Sequence, residues 1–155
     1  MIGQETARHL ELARQKQISV DMDIEKNLPL LLSDGLLFAH ALTNLIQNAL
    51  KYTPDRGTVT VKAYRMGDQL AVSVNDTGVG IRKEDQARLF EAFYRVPHRD
   101  GDPQRPSGSG IGLALVKAVA DAHGGSVHVD SDFGKGSTFT IIFPILDIEE
   151  IVERR

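Results

Sequence analysis

Residues 34–52 read DGLLFAHALTNLIQNALKY, which predicts one amphipathic helix, capped by Ser33 or Asp34 and ending near Tyr52. Its apolar residues recur at helical spacing and form one stripe: Phe38, Leu42, Leu45 and Ala49. The opposite side carries Asn44, Asn48 and Lys51 at positions i, i+4 and i+7. Because asparagine is a poor helix former, two of them on one side indicate a use. Amide oxygens can bind magnesium and a lysine can bind phosphate, but a merely solvated polar side explains the pattern equally well.

The segments around this helix predict a sheet with further helices. Residues 4–16 predict a short helix, and residues 18–24 alternate apolar and polar side chains as a half-buried strand does. Similar alternation predicts four more strands, near 59–63, 70–74, 126–130 and 137–143. One helix is predicted to begin near Lys83 and to end within LFEAFYRV, and another to run from Ile111 to about His123. We therefore expect a two-layer α/β (α+β) sandwich, in which a mixed, largely antiparallel sheet of about five strands carries three main helices on one face.

Composition excludes several classes of protein. The length of 155 residues favours one domain, and the net charge of −3 does not indicate a nucleic-acid partner. The absence of cysteine excludes disulfides, thiol catalysis and cysteine-bound zinc. No apolar run approaches the roughly 18 residues of a membrane span, and the N-terminus lacks the apolar centre of a signal peptide. We expect a cytoplasmic domain, which leaves open whether a longer parent protein is attached to the inner membrane.

Asp76 is the most informative single residue. It has the same parity as Leu70, Val72 and Val74, so its carboxylate is expected to point into the core, where it needs hydrogen-bond donors. Glycines follow directly at 78 and 80, where the backbone must turn tightly or approach a ligand. The exocyclic amino group of adenine would satisfy such a carboxylate. A turn aspartate that binds its own backbone is the alternative.

A second glycine-rich stretch, GSGIGLAL (108–115), lies directly before an apolar helix, where free N–H groups favour phosphate. It is not a dinucleotide motif, because a polar loop rather than a strand precedes it. GKGST (134–138) is not a P-loop, because Gly136 stands where Ser or Thr is required. A flexible hinge is an equally good explanation of GSGIG. Ser137 shares the inward parity of Phe139, Ile141 and Phe143.

Two further groups of residues lie between Asp76 and Ile111. Phe90, Phe93 and Tyr94 are interpreted as core residues rather than cofactor contacts. Residues 95–110 form a long loop rich in Gly, Pro, Arg and Asp, which is typical of a functional or disordered segment. Its Arg99 and Arg105 could steer phosphates, but we expect that they chiefly keep the loop soluble.

The order of these segments is more specific than any one of them. The sequence contains NLIQNALKYTP (44–54), NDTGVGI (75–81), LFEAFYRV (89–96), GSGIGLAL (108–115) and GKGSTF (134–139). This series closely resembles the N, G1, F, G2 and G3 boxes of the catalytic and ATP-binding domain of sensor histidine kinases. That domain belongs to the GHKL superfamily, with the Bergerat ATP-binding fold, which also includes gyrase, MutL and a heat-shock chaperone ATPase. The resemblance covers about residues 17–144.

The resemblance implies a role for each matching position. Asn48 would bind Mg²⁺ with help from Asn44, Lys51 would meet phosphate, and Arg95 would reach the terminal phosphate. Asp76 would accept from adenine, and residues 95–110 would form a lid over ATP. The remaining positions implied to contact the nucleotide or support its pocket are Tyr52, Gly78, Gly80, Ile81, Gly108, Ser109, Gly110, Ile111, Gly112, Leu113 and Ser137. Gyrase-like relatives carry a glutamate where this chain has Asn44, and an amide cannot act as a general base, which favours the kinase branch over the ATPase branch.

One departure from the family concerns the phosphate acceptor. Histidine kinases phosphorylate a histidine of a separate dimerisation domain, within a motif such as H-E-L-R-T-P, and none of the five histidines of this sequence fits it. We therefore interpret residues 1–16 as the end of that helical domain, 17–146 as the ATP-binding catalytic domain and 147–155 as a charged tail. The chain is expected to bind Mg-ATP as a monomer without phosphorylating itself. The parent would be a homodimer whose phosphoryl group passes from the histidine to a response regulator. The alternatives are an anti-sigma-type serine kinase on the same fold and a non-catalytic nucleotide-sensing module.

Overall fold

A computed structural model describes residues 1–146 and 152–153. Its sheet has five strands: β1 (Ser19–Ile24), β2 (Thr58–Met66), β3 (Gln69–Asp76), β4 (Ser126–Asp132) and β5 (Gly136–Pro144). They lie in the order β1-β2-β3-β5-β4. The β1–β2 pair is parallel and the other three pairs are antiparallel. The predicted mixed, largely antiparallel sheet is therefore confirmed.

In the part of the chain that the structure describes, five helices accompany the sheet: α1 (Ile2–Ala7), α2 (Leu10–Gln15), α3 (Gly35–Tyr52), α4 (Lys83–Gln86) and α5 (Gly112–Ala122). The main layer is formed by α3 and α5. Asp34 rather than Ser33 caps α3, because its carboxylate accepts from the N–H groups of Leu36 and Leu37 at 2.9 and 3.1 Å. The helix predicted from Lys83 is a single turn that ends at Gln86.

The core lies between this helical layer and the inward face of the sheet. The stripe predicted on α3 is buried, with Leu42 fully inaccessible and Phe38, Leu45 and Ala49 at most 5% exposed. It packs with inward side chains of the central strands, among them Val61, Val72 and Ile141. Burying this much apolar surface is the main favourable contribution to folding. The polar side of α3 is left facing away from the core.

Three local expectations differ from the structure. The predicted helix over 4–16 is broken between α1 and α2, at Arg8 and His9. β1 is an edge strand, and the half-burial expected for residues 18–24 holds only at its start, where Ile18 and Val20 pack with the core. Met22 and Ile24 remain 52% and 40% exposed. Phe93 is not a core residue: its backbone has φ +68° and its side chain is 74% exposed.

The termini add two observations. Apart from Val152 and Glu153, the charged tail predicted for 147–155 falls outside the described residues. Within the described part of the chain, none of the helices combines the length and the apolar character needed to cross a membrane.

Candidate functional site

A cavity of about 310 Å³ lies between the polar side of α3, the loop after β3 and residues 95–110. This volume is at the lower end of the range of about 300–1,000 Å³ typical of small-molecule sites. All of the site residues proposed from the sequence line it, except Gly78 and Ile111. Residues brought together here are separated by up to 95 positions in the sequence, from Asn44 to Phe139.

The polar side of α3 forms one wall of the cavity. Asn44, Asn48 and Lys51 all line it, as their shared helix side requires. The Asn44 amide donates to the carbonyl oxygen of His40 at 3.0 Å, which directs its oxygen elsewhere. A Cβ at Gly112 would lie 3.0 Å from the amide oxygen of Asn44, and a Cβ at Gly108 would lie 2.8 Å from the Lys51 ammonium. Glycine is therefore what permits the segment before α5 to approach these polar groups.

Asp76 ends β3 and is only 7% exposed, as its parity predicts. Its Oδ1 accepts from the backbone N–H of Gly78 at 2.8 Å. Burial raises the pKa of Asp76, and backbone hydrogen bonds from Gly78 and Ser137 partly oppose that rise. The turn interpretation and the binding interpretation are both compatible with this geometry, because Asp76 lines the cavity while one oxygen accepts from the turn.

A pair of buried hydroxyls supports the floor beside Asp76. The hydroxyls of Ser131 and Ser137 form a hydrogen bond with an Oγ–Oγ distance of 2.8 Å, and the backbone N–H of Ile81 donates to the Ser131 hydroxyl at 2.8 Å. Ser131 also donates to the carbonyl oxygen of Gly136 at 2.9 Å. The inward position of Ser137 is confirmed. Ser131 was missed, although it has the same parity as Val127 and Val129 on β4 and could have been found from it.

Gly80 fixes the loop after β3 against the end of β4. Its φ is +69°, a conformation that costs glycine little and other residues more. A Cβ here would clash with the backbone carbonyl of Asp132. A Cβ at Gly78 would likewise clash, since it would lie 2.5 Å from the carbonyl oxygen of Tyr52. The two glycines thus let the loop from β3 pack between α3 and β4.

Residues 95–110, all of which are described, contain neither helix nor strand but are held by side chains. Arg99 forms two hydrogen bonds with Asp85 at 2.8 and 3.0 Å. Arg105 donates to the carbonyl oxygen of Gly80 at 2.7 Å, and its guanidinium lies 5.9 Å from the ring centroid of Tyr52. The expectation that Arg99 and Arg105 chiefly keep this loop soluble is therefore wrong.

The base of this loop also contacts the cavity. The Tyr94 hydroxyl donates to Asp85 at 3.1 Å, and its ring lines the cavity while packing on the core. Hydrogen bonds from Arg99 lower the pKa of Asp85 below its ordinary value. Hydrogen bonds from Arg82 lower the pKa of Asp102 to about 2.

The sequence did not indicate the other residues of the lining as site residues: Gln47, Val79, Leu89, Val96, Pro106, Phe139 and Arg105, the last of which was considered as a phosphate contact but expected chiefly to keep the loop soluble. Five of the seven lie within the quoted motif segments without a role of their own there, and Arg105 and Pro106 lie in the loop 95–110. Only the fold brings their side chains to the cavity.

The oxygen donors of the site suit a magnesium–phosphate complex better than a metal held by protein alone. Within the described residues, no three His, Asp or Glu side chains gather into a metal site. Magnesium usually keeps several waters and shares few protein ligands with substrate phosphates. Asn48 lines the cavity, and in the described part of the chain its amide makes no hydrogen bond to other side chains or backbone. The amides of Asn44 and Asn48 thus fit this ion.

Comparisons with known proteins agree with the geometry. The profile of the family described as "Histidine kinase-, DNA gyrase B-, and HSP90-like ATPase" matches residues 33–147. The sensor-like histidine kinase SenX3 of Mycolicibacterium smegmatis is 38% identical over 144 residues, which are 93% of this chain and 37% of SenX3. This chain therefore spans little more than a third of that curated relative.

Two solved structures have the same fold. Full-length ShkA in complex with AMPPNP is similar with a TM-score of 0.80 and 30% identity, over 92% of this chain and 29% of ShkA. The mycobacterial sensor histidine kinase MprB has a TM-score of 0.78 and 27% identity, over 92% of this chain and 95% of the MprB chain.

Proposed function

Because this chain belongs to the family of histidine kinase-, DNA gyrase B- and HSP90-like ATPases, as an ATP-binding catalytic domain of the sensor histidine kinase type, we propose how its cavity works. It binds Mg-ATP and transfers the γ-phosphoryl group to a histidine on a separate dimerisation domain. The buried carboxylate of Asp76 in the cavity wall is the observation that carries this proposal.

The two ends of the cavity suit the two ends of ATP. Asp76 accepts a hydrogen bond from the exocyclic amino group of adenine, with the Ser131–Ser137 pair beneath it. Lys51 provides a positive charge for the phosphates, and the backbone of Gly108–Gly112 approaches them closely. Arg95 lines the same cavity, which supports the proposal that it reaches the terminal phosphate. ShkA, with 30% identity and the same fold, is described in complex with AMPPNP.

Asn44 supports phosphoryl transfer rather than hydrolysis. Hydrolysis needs a group that activates water, and an amide is not basic at neutral pH. The Asn44 nitrogen already donates to His40, which leaves its oxygen for Mg²⁺. Bound with Asn48, the ion would neutralise charge that develops on the phosphates, as phosphoryl transfer requires. The protein's own contribution is to position ATP and to exclude water.

The proposed partners follow from this chemistry. The acceptor is the histidine of a helical domain whose end is formed by residues 1–16, and 17–146 is the catalytic domain. A response regulator then receives the phosphoryl group from that histidine. The chain by itself is a monomer, and the parent protein is a homodimer with its catalytic domain in the cytoplasm.

Calorimetric titration with a non-hydrolysable ATP analogue, with and without Mg²⁺, tests the proposal. The chain should bind the analogue, and Mg²⁺ should strengthen binding. Asp76→Asn should weaken it by about 100-fold, since the variant offers adenine a donor where an acceptor is needed and loses a charge-assisted hydrogen bond of about 1.5–3 kcal/mol. Asn48→Ala should remove most of the effect of Mg²⁺ while retaining weak binding of the analogue alone.

Asp130→Asn is the matched control, because the same substitution is made on an exposed residue of β4 outside the cavity. It should bind like the unaltered chain. If the folded chain binds no analogue, or binds it equally well without Asp76, the proposed function is wrong, and a non-catalytic module becomes the better explanation.

A further inference from the structure

Two short segments of the chain carry the same pair of charges at the same spacing. The first runs from Arg82 to Asp85, at the start of α4, and the second runs from Arg99 to Asp102, within residues 95–110. In each, an arginine precedes an aspartate by three residues. The two segments face one another and pair crosswise, so that each arginine meets the aspartate of the other segment.

Both pairs are bidentate, the strongest arrangement of guanidinium and carboxylate. Arg82 meets the two oxygens of Asp102 at 2.8 and 2.7 Å, and Arg99 meets those of Asp85 at 2.8 and 3.0 Å. The side chains of Asp85 and Asp102 are only 4% and 5% exposed. These carboxylates are therefore nearly excluded from water, and loss of an arginine would leave each one buried without its cation.

A tight turn holds the second segment in the shape that this pairing needs. The N–H of Asp102 donates to the carbonyl oxygen of Arg99 at 3.0 Å, and Gly101 between them has φ +84°. Glycine reaches that conformation at little cost. The turn thus presents an arginine and an aspartate together to the start of α4.

The partners on α4 are themselves held in place. The Arg82 guanidinium lies 3.8 Å from the ring centroid of Phe133, and the Tyr94 hydroxyl donates to Asp85. Further along the same loop, Arg105 reaches Gly80 in the wall of the cavity. Residues 95–110 have no helix or strand, although all of them are described, so their order depends on side-chain contacts of this kind together with a few backbone hydrogen bonds such as the one from Asp102 to Arg99.

We infer that Arg82, Asp85, Arg99 and Asp102 are positioning residues, which hold residues 95–110 over the cavity before a nucleotide binds. The inference rests on the proposed function for what the cavity holds. Ordering a loop costs conformational entropy. If the loop is already ordered in the folded protein, nucleotide binding does not have to supply that cost. Nucleotide affinity then depends on two ion pairs that do not touch the nucleotide.

Limited trypsin digestion of the nucleotide-free protein tests the ordering directly, scored by mass spectrometry at the Arg95–Val96 bond. Asp102→Asn and Asp85→Asn keep the shape of the side chain but remove its charge. Each should accelerate cleavage at this bond by at least about tenfold, since cleavage follows the population of the open loop. Each variant should also bind the ATP analogue with about tenfold lower affinity. Asp121→Asn is the control, because it removes an equally short but exposed pair with Lys117 at 2.8 Å, and it should change neither quantity.

Two further measurements separate positioning from general loss of structure. Cleavage at Arg65–Met66, within β2, should stay slow in both variants. Exchanging the charges, with Arg82→Asp and Asp102→Arg combined, should slow cleavage at Arg95–Val96 relative to either single variant. The inference is overturned if cleavage at Arg95–Val96 is unchanged in the aspartate variants, or if cleavage at Arg65–Met66 is accelerated equally. It is also overturned if the charge-exchanged double variant is cleaved at Arg95–Val96 as quickly as the single variants.

The two proposals fail in different ways. A wild-type chain that resists trypsin at Arg95 but binds no analogue would contradict the proposed function alone. A chain that binds the analogue tightly, with a loop cut as quickly in the wild type as in the variants, would contradict the positioning role alone.

Discussion

The carboxyl group of Asp76 lies at the end of β3, 7% exposed, with a backbone N–H of Gly78 at 2.8 Å from Oδ1. Because burial raises its pKa, the folded chain takes up a proton here more readily than the unfolded chain. Asp76 therefore makes the fold less stable as pH rises from 3.8 through the raised pKa, while ATP binding needs the carboxylate formed over that same range. Folding and binding place opposite demands on this residue.

Asp76→Asn should for that reason separate stability from binding. At pH 7 the free energy of unfolding of the variant should equal that of the wild type or exceed it by about 1 kcal/mol, although the variant binds ATP poorly. As pH falls through 3.8 the difference should shrink, because Asp76 then becomes increasingly protonated in the unfolded state as well as in the folded state. Urea denaturation at pH 7 and pH 3.5 measures this. A variant clearly less stable than the wild type at pH 7 would show that the carboxylate contributes to folding after all.

The helix α3 joins the core to the cavity, so its ends affect both. Asp34 satisfies the N–H groups of Leu36 and Leu37 at its start. At its other end, Lys16 donates to the carbonyl oxygens of Leu50 and Thr53 at 2.6 and 2.8 Å. One face of α3 is buried under the sheet while the opposite face lines the cavity. The positions of Asn44 and Asn48 thus depend on the helix as a unit.

Asp34→Ala should destabilise the chain by about 1 kcal/mol, the usual effect of removing an N-cap side chain. Ser33→Ala is the matched control and should be within about 0.5 kcal/mol of the wild type, because the capping oxygen belongs to Asp34. Thermal or urea denaturation of both variants measures the difference. Equal losses for the two variants would mean that the neighbouring serine can cap the helix in solution.

The stability of the entire fold rests on the layer between α3, α5 and the central strands. Leu45→Ala should therefore cost about 3 kcal/mol, since it removes a buried side chain and leaves a cavity. Leu30→Ala makes the same change on a side chain that is 95% exposed and should cost less than about 0.5 kcal/mol. Urea denaturation of the two variants provides the comparison. Similar losses for both would place Leu30 in a contact that forms in solution.

The arrangement of the histidines makes a further prediction about the chain as a unit. All five lie in the described part of the chain, and none of them lines the cavity. Incubation with Mg-ATP labelled at the γ-phosphate should therefore leave the chain unlabelled, although it binds ATP. Adding a separate helical domain that carries an H-E-L-R-T-P-type motif should allow labelling of that domain. Acid-labile label on any of the chain's own histidines would contradict this prediction.

Local patterns were sufficient for most of the fold and for the central site residues. The stripe of α3, the strands β2 to β5 and the inward side chains of Asp76 and Ser137 were all predicted from parity and periodicity. These signals work because residues at a regular spacing, every second one in a strand and every third or fourth in a helix, share one face. Phe93 and the end of β1 were exceptions, since apolar character indicates a burial that their places at the loop base and the sheet edge do not provide.

The sequence by itself thus determined the fold class, the family resemblance and the motif residues proposed for the site, most of which line the cavity, because each depends on local spacing or on ordered motifs. Only the tertiary structure decided how residues 95–110 are held. The Arg82–Asp102 and Arg99–Asp85 pairs join positions 20 and 14 apart. No periodicity marks them, and exposed arginines and aspartates look alike in a sequence whether or not they pair. Ion pairs of this kind form only where folding brings two segments together and removes water from between them.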